Sequence, residues 1–331
     1  MRALLHTAGE RVELSCAVPW IARVLADGAA GQLTDADGTT PDVRVTVERG
    51  SAAFDVSGWR VLTRGAWCRK GQVIVRDACS SGLDLRVTAS EASLDVVARW
   101  RPSGQGRAAA AVLRARSRLL LRAVLLQYPA LWRSQQRGRA PLHASVCGLG
   151  SAGQTVLLAG PGGVGKSTLV QGELLNGAIS TCDNLCVSDG QYAWGVVEPL
   201  RLPAEVHDGR GRRMPHGRRE AAWPRRADRM RPGRLVVLVR GGDPAVTPCD
   251  PALAARYLVA GTYMAGELRR YWAFAATLAL GTGAGGSHPP VQDIADTLSS
   301  RLPCLRVTLG ERPGAPLREL LSVANTTEVS A

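Results

Sequence analysis

The stretch Gly160-Pro161-Gly162-Gly163-Val164-Gly165-Lys166-Ser167-Thr168 fits the pattern G-x-x-x-x-G-K-[ST] at every position. The chemistry this spacing serves is the binding of a polyphosphate. Glycines let successive backbone N–H groups converge on phosphate oxygens, and the helix that follows adds the positive end of its dipole. Lys166 reaches the β- and γ-phosphates, and the Ser167 hydroxyl ligates Mg²⁺. The context is right as well. The apolar run TVLLA ends at Ala159, and Leu169, Val170 and Leu174 follow at helical spacing. A glycine-rich turn that matched by accident would need this strand–loop–helix order by accident too. Of the 41 basic residues only Lys70 and Lys166 are lysines, and a compact ammonium fits among phosphate oxygens where a guanidinium does not. ATP with Mg²⁺ is the expected ligand pair.

The loop alone does not say what becomes of the phosphate. No LSGGQ-like segment of an ABC ATPase and no NKxD base-reading motif of a small GTPase occurs. The apolar run LVVLVRGG ends in arginine where a Mg²⁺-holding carboxylate would stand. The carboxylate must come from elsewhere, and the candidate is Asp183, flanked by Cys182 and Asn184 in an otherwise apolar segment. An acid there is costly to bury unless it is paired or near a metal. The alternative is an aspartate that hydrogen-bonds its own backbone in a turn.

The elements that must position these residues can be read from patterning. From Arg11 to about Trp100, short β-branched runs (VELSC, VRVTV, AAFDV, VLTR, QVIVRD, DLRVTA, LDVVARW) alternate with turn clusters, which predicts a β-rich N-terminal domain over residues 1–105. Residues 106–139 read as a connector: helical spacing from Gly106 to Arg133, then a loop at Gln135–Arg139. Residues 140–331 read as an α/β domain with a mixed sheet. Its strands are expected at Ala144–Cys147, TVLLA, ISTCDNLCV (179–187), YAWGVV (192–197), LVVLV (235–239) and LRVTL (305–309). Its helices are expected at Lys166–Leu175 and from about Ala252 to Leu280, with GTGAGGSHPP (281–290) as a loop.

Composition sets the outer limits. The 331 residues, 45% hydrophobic and 21% charged, are enough for two domains at roughly 100–200 residues each, and exclude collagen, coiled coil and wholesale disorder. The longest apolar stretch, 108–132, is interrupted by Arg114, Arg116, Arg118 and Arg122, too costly for a membrane span. The N-terminus lacks the apolar core of a signal peptide, so the expected location is the cytoplasm. Eight cysteines show neither a CxxC pair nor a zinc-like spacing with histidine, so buried, reduced thiols are expected. The net charge of +13 makes negatively charged partners plausible. A nucleic-acid partner would need interleaved aromatics, and the most basic segment, His207–Arg234 with ten arginines, offers only Trp223. That segment either closes over a triphosphate or an acidic peptide, or is a solvated loop; His207 and Asp208 read as loop residues.

Taken together, LHASVCGLGSAGQTVLLAGPGGVGKSTLV and ISTCDNLCV resemble the C-terminal kinase domain of HPr kinase/phosphorylase and its smaller relatives. In that family a histidine precedes the phosphate-loop strand and an acidic pair follows the phosphate-loop helix. His143 stands 17 residues before Gly160, and Asp183 stands 17 after Lys166. The resemblance implies an HPr-kinase-like P-loop fold and a hydroxyl kinase. In it Asp183 takes the proton of the attacking serine, His143 lies beside that carboxylate or the transferring phosphate, and Ser167, Asp183 and Glu198 (in GVVEPLRLPAE) hold Mg²⁺. RPGR (231–234) is a further point of similarity. The second acid of the pair is Asn184 here, which removes the expectation of phosphorolysis.

Relatives of this type that are not true HPr kinases occur in biosynthetic gene clusters for modified peptides, including lasso peptides. The resemblance therefore implies a peptide or small-protein substrate, such as a ribosomal precursor peptide; the broken apolar stretch gives no expectation of a membrane partner. Ring formation in the family makes an oligomer an expectation of the same kind. Two other functions remain open from the sequence: a non-catalytic nucleotide-binding regulatory protein, and a nucleic-acid-stimulated ATPase.

Overall fold

A computed structural model describes residues 1–150, 153–202, 212–213, 219–310 and 316–328. The chain is α/β with mixed sheets and packs into two compact units that interleave along the sequence. The first comprises Met1–Gly138, Val197–Pro199 and Arg269–Pro289. The second comprises Arg139–Val196, Leu200–Leu268 and Pro290–Ala331.

The first unit is built on strands β1 (Arg2–Thr7), β2 (Glu10–Cys16), β3 (Val43–Glu48), β4 (Arg60–Thr63), β5 (Ala66–Arg69), β6 (Gln72–Val75), β7 (Leu83–Ala89) and β8 (Leu94–Trp100). They form one sheet in the order β1-β2-β3-β8-β7-β6-β5-β4, with β3 parallel to β2 and β8 and every other pair antiparallel. Period-two patterning explains the burial. Val12, Leu14 and Cys16, Val43, Val45 and Val47, and Leu83, Leu85 and Val87 all point to one covered face.

Several expectations for this unit need correction. Pro19–Gly28, expected to lie among strands, forms helix α1, opened by proline at its first turn. AAFDV is not a strand: Phe54 is buried in a connector, with the guanidinium groups of Arg86 and Arg99 over its ring. The single helix expected from Gly106 is two helices, α2 (Gly104–Val112) and α3 (Arg114–Arg122), broken at Leu113, which leaves helical geometry at φ −100° and ψ 51°. A π-helical turn (Ala123–Gln127) then leads into α4 (Tyr128–Gln136), so Gln135 and Gln136 are helical and not loop. The later helix Arg269–Thr282 belongs to the same unit. Its Tyr271 and Phe274 rings lie 5.5 and 5.6 Å from that of Tyr128, and the Tyr271 hydroxyl donates to Gln135 at 3.0 Å.

In the second unit, β9 (Ala140–Leu142), β10 (Ser145–Gly148), β11 (Thr155–Ala159), helix α5 (Lys166–Leu175), β12 (Ser180–Cys182), β13 (Cys186–Ser188), β14 (Ala193–Gly195), β15 (Leu200–Leu202), β16 (Arg212–Arg213), β17 (Arg219–Ala221), β18 (Arg229–Met230), β19 (Arg234–Arg240), β20 (Ala245–Pro248), helix α6 (Pro251–Met264) and β21 (Cys304–Leu309) follow one another. The main sheet has the order β12-β10-β11-β19-β21-β20, with β11, β19 and β21 mutually parallel at its centre and antiparallel strands at both sides. Val156, Leu157 and Leu158, and Leu235 to Leu238, are fully buried, as the two-sided burial of parallel strands requires. Smaller antiparallel sheets, β18-β14-β13-β9 and β15-β17-β16, and helices over Val291–Arg301 and Leu317–Glu328 also belong to the unit.

Two expectations change here. ISTCDNLCV is two strands in different sheets, separated by a bend at Asp183 and Asn184. The helical stretch from Ala252 breaks over residues 265–268, where Ala265 turns extended. The close approach of β14 to β12 demands glycine at position 195, because a Cβ there would overlap the Thr181 carbonyl. Gly195→Ala is therefore expected to cost about 3 kcal/mol, read as a lower denaturant midpoint at unchanged m-value.

Candidate active site

The phosphate loop lies at the carboxyl end of β11, where ligands of parallel α/β sheets bind. Gly160 leaves the strand at φ +150°, and a Cβ on it would come within 2.8 Å of the Leu238 carbonyl. Gly163 and Gly165 also take positive φ, and Gly165 opens α5. Pro161, Gly162, Gly163 and Thr168 are exposed, while Val164 is buried and its carbonyl accepts from Arg240 Nε at 3.2 Å. The loop thus presents backbone outward on an anchored base. Lys166 Nζ donates to the carbonyls of Gly160 at 2.7 Å and Pro161 at 3.1 Å, a self-bridging arrangement that keeps the ammonium on the loop.

Burial pulls the Lys166 pKa down from 10.5 to about 8, with Glu267 and then Asp183 pulling it back up. Because the folded pKa is lower than the unfolded one, the charged lysine costs stability at neutral pH, and that cost is relieved as pH climbs from about 8 to 10.5. Phosphate binding needs the ammonium, so ATP affinity is expected to fall as pH rises through about 8, measured by calorimetry with the proton uptake on binding followed in two buffers.

The bend after β12 carries Asp183 and Asn184 to this loop. The Asp183 carbonyl accepts from Ser145 Oγ at 2.6 Å and from Ser167 Oγ at 3.3 Å, which ties the bend to the first turn of α5. Its carboxyl group is fully buried. Oδ2 accepts from the Arg201 amide at 3.5 Å, and Oδ1 has no hydrogen-bond partner among the described residues. Burial raises the Asp183 pKa, opposed by Arg201 and Ser167. An orphaned carboxylate oxygen beside the phosphate-loop serine is the donor set a hard cation takes, so the residues fit Mg²⁺.

His143 follows β9, and its amide donates to Thr262 Oγ1 of α6 at 3.0 Å. Its Nε2 lies 3.2 Å from Asn184 Oδ1, Asn184 Nδ2 lies 3.4 Å from Glu267 Oε1, and Arg201 Nη1 lies 3.0 Å from the same oxygen. With the Asn184 amide donating to Glu267, its oxygen is left to accept from His143 Nε2–H, which assigns the histidine tautomer. Burial and the neighbouring Lys166 ammonium push His143 down to about 4, so the imidazole is neutral near pH 7. Burial pushes the Glu267 carboxyl up, but Arg201, its own amide and His143 together bring it below 4.5.

The structure therefore brings Lys166, Ser167, Asp183 and His143 together in one unit. Glu198 is buried and falls in Val197–Pro199, the stretch that groups with the first unit. Glu267 and Arg201 join the site without having been singled out in the sequence. The break after α6 was hidden in a run read as one helix, and Gly266 beside Glu267 was its only local signal.

The arginine-rich segment is partly structural. The Arg226 side chain is buried and donates from Nε to the Thr181 carbonyl at 3.1 Å and from Nη2 to the Gly195 carbonyl at 2.9 Å, clamping β12 to β14 just before Asp183. Trp223 is buried as well. His207, Asp208, Arg210 and Arg218 lie outside the described residues.

All eight cysteines are free thiols, and among the described residues no group of three or more His, Cys, Asp and Glu side chains is arranged to hold a metal by itself. No described helix is long and apolar enough to cross a membrane. Searches against protein-family models and curated proteins find no match to the chain.

Proposed function

We propose that this protein is an ATP- and Mg²⁺-dependent kinase that transfers the γ-phosphoryl group to a hydroxyl, a serine of a peptide or small protein. The observation that carries the reading is the buried Asp183 carboxyl, with one unpartnered oxygen, tied through Ser167 to a complete phosphate loop. Backbone N–H groups between Gly162 and Ser167 would hold the phosphates. Lys166, released from its bridge to the loop carbonyls, would neutralise charge that develops on the transferred group. Ser167 and Asp183 would hold Mg²⁺, which, when bound, screens the phosphate oxygens from the incoming hydroxyl. Neutral His143, donating from Nε2 to Asn184, offers a polar wall without adding charge.

The HPr-kinase-like character, the peptide substrate and the role of Glu198 come from the sequence resemblance alone. The test is mass spectrometry of serine-containing peptides, including short precursor peptides encoded beside this gene, after incubation with ATP and Mg²⁺. A gain of about 80 Da with the wild type and none with Lys166→Ala supports the reading. Asn184 favours a second reading, a nucleotide-binding regulatory protein without transfer, because the site has an amide where a second acid would stand. Tight ATP binding with no product from any acceptor supports that one.

A further inference from the structure

The two carboxylates of the site keep different company. Asp183 is enclosed, fully buried, and tied to the cation side of the loop through Ser167. It has no exposed surface through which to exchange a proton directly with solvent. Glu267 retains 32% of its side-chain exposure and stands in the turn 265–268 that follows α6. It nonetheless belongs to the site. It is hydrogen-bonded to Asn184, the residue that also contacts His143. Where a second acid would have stood at position 184, the chain has an amide whose N–H₂ leads to a carboxylate.

Resting on the kinase reading above, we propose that Glu267, and not Asp183, is the catalytic base that accepts the proton of the attacking hydroxyl. The hydroxyl oxygen forms its bond to the γ-phosphorus as the bond from that phosphorus to the β,γ-bridging oxygen breaks. The hydroxyl proton passes to a Glu267 carboxylate oxygen, and ADP leaves with the bridging electron pair. Glu267 then returns the proton to solvent through its exposed side. Arg201 keeps the carboxylate ionised by pairing with Oε1 at 3.0 Å, and among the described residues Asn184, His143 and Lys166 also act on it.

A purely structural Glu267, present only to pair with Arg201, makes a different prediction, and the variants separate the two. Wild type, Glu267→Gln, Glu267→Asp and Arg201→Met are compared by ATP turnover with water as acceptor and with a serine-peptide library. Rates are followed across pH, and Mn²⁺–ATP binding is followed by electron paramagnetic resonance. For the base, Glu267→Gln loses about a hundredfold or more in kcat, keeps its KM for ATP and its Mn²⁺ affinity, and loses the acid limb of the pH profile. Glu267→Asp keeps a measurable rate. Arg201→Met lowers the neutral-pH rate less than Glu267→Gln does, and its acid limb moves to higher pH because the carboxylate has lost its guanidinium. Equal losses in Glu267→Gln and Arg201→Met, or a Glu267→Gln enzyme within twofold of wild type, overturn the assignment. A wild type that binds Mn²⁺–ATP yet turns over neither acceptor overturns the kinase reading and the assignment with it. That failure is told apart because it shows before any substitution.

Discussion

Lys166→Ala is expected to remove phosphoryl transfer by about a thousandfold or more while leaving the fold intact. The side chain is 5% exposed and lies at the first residue of α5, with its ammonium on the carbonyls of Gly160 and Pro161. Truncation removes a desolvated charge but leaves the buried Gly160 carbonyl without its donor, so the two effects oppose and the stability change is small. The signature is a melting temperature close to that of the wild type, together with lost transfer. Arginine is not a substitute here in spite of the chain's preference for it. The guanidinium is larger and planar, and cannot reproduce the compact contact with two carbonyls. Lys166→Arg should fail nearly as completely in the same peptide phosphorylation assay.

Asp183→Asn gives the second large effect, and its sign differs between stability and activity. Burial raises the folded pKa of Asp183 above its unfolded value, so the ionised carboxylate costs stability above pH 3.8 and the cost disappears as acid protonates it. The amide removes that cost. Without metal the variant should melt higher than the wild type near neutral pH, and the gap should close on acidification. With Mg²⁺ and ATP the order reverses. The wild type gains stability from a bound cation, whereas the variant gains little, and its transfer rate falls by about a hundredfold or more. Differential scanning fluorimetry with and without Mg²⁺, set beside turnover, checks both halves. A variant that melts lower without metal and works normally would show Asp183 to be a turn residue.

The parts of this site that were legible in sequence are those whose chemistry is local. Nine consecutive residues fix the phosphate loop, since positive-φ glycines and the lysine are needed within one turn of one another. Asp183 stood out because an acid in an apolar segment needs an explanation. Glu267 did not, because what makes it part of the site is a contact with Asn184, 83 residues away in the chain. The same limit applies to the fold. LVVLV and TVLLA are buried on both faces and read directly as strands. ISTCDNLCV has the same apolar character, but the turn at Asp183–Asn184 sends its two ends to different sheets, a choice set by Ser145, Ser167 and Arg226 from elsewhere. Phe54 shows the opposite error, in which a strand-like run is drawn into a connector by arginines on β7 and β8.

The interleaving of the two units bears on how the chain is made. The first unit cannot close its core when Gly138 leaves the ribosome. Tyr128 still lacks Tyr271 and Phe274, the Gln135 side-chain amide lacks the Gly286 carbonyl to which it donates, and Thr7 lacks the Val197 amide. Vectorial synthesis therefore holds an eight-stranded sheet with an unfilled apolar side until nearly the whole chain has emerged. That is a long window for capture by a chaperone. It also means that no single cut divides the polypeptide into two self-sufficient halves.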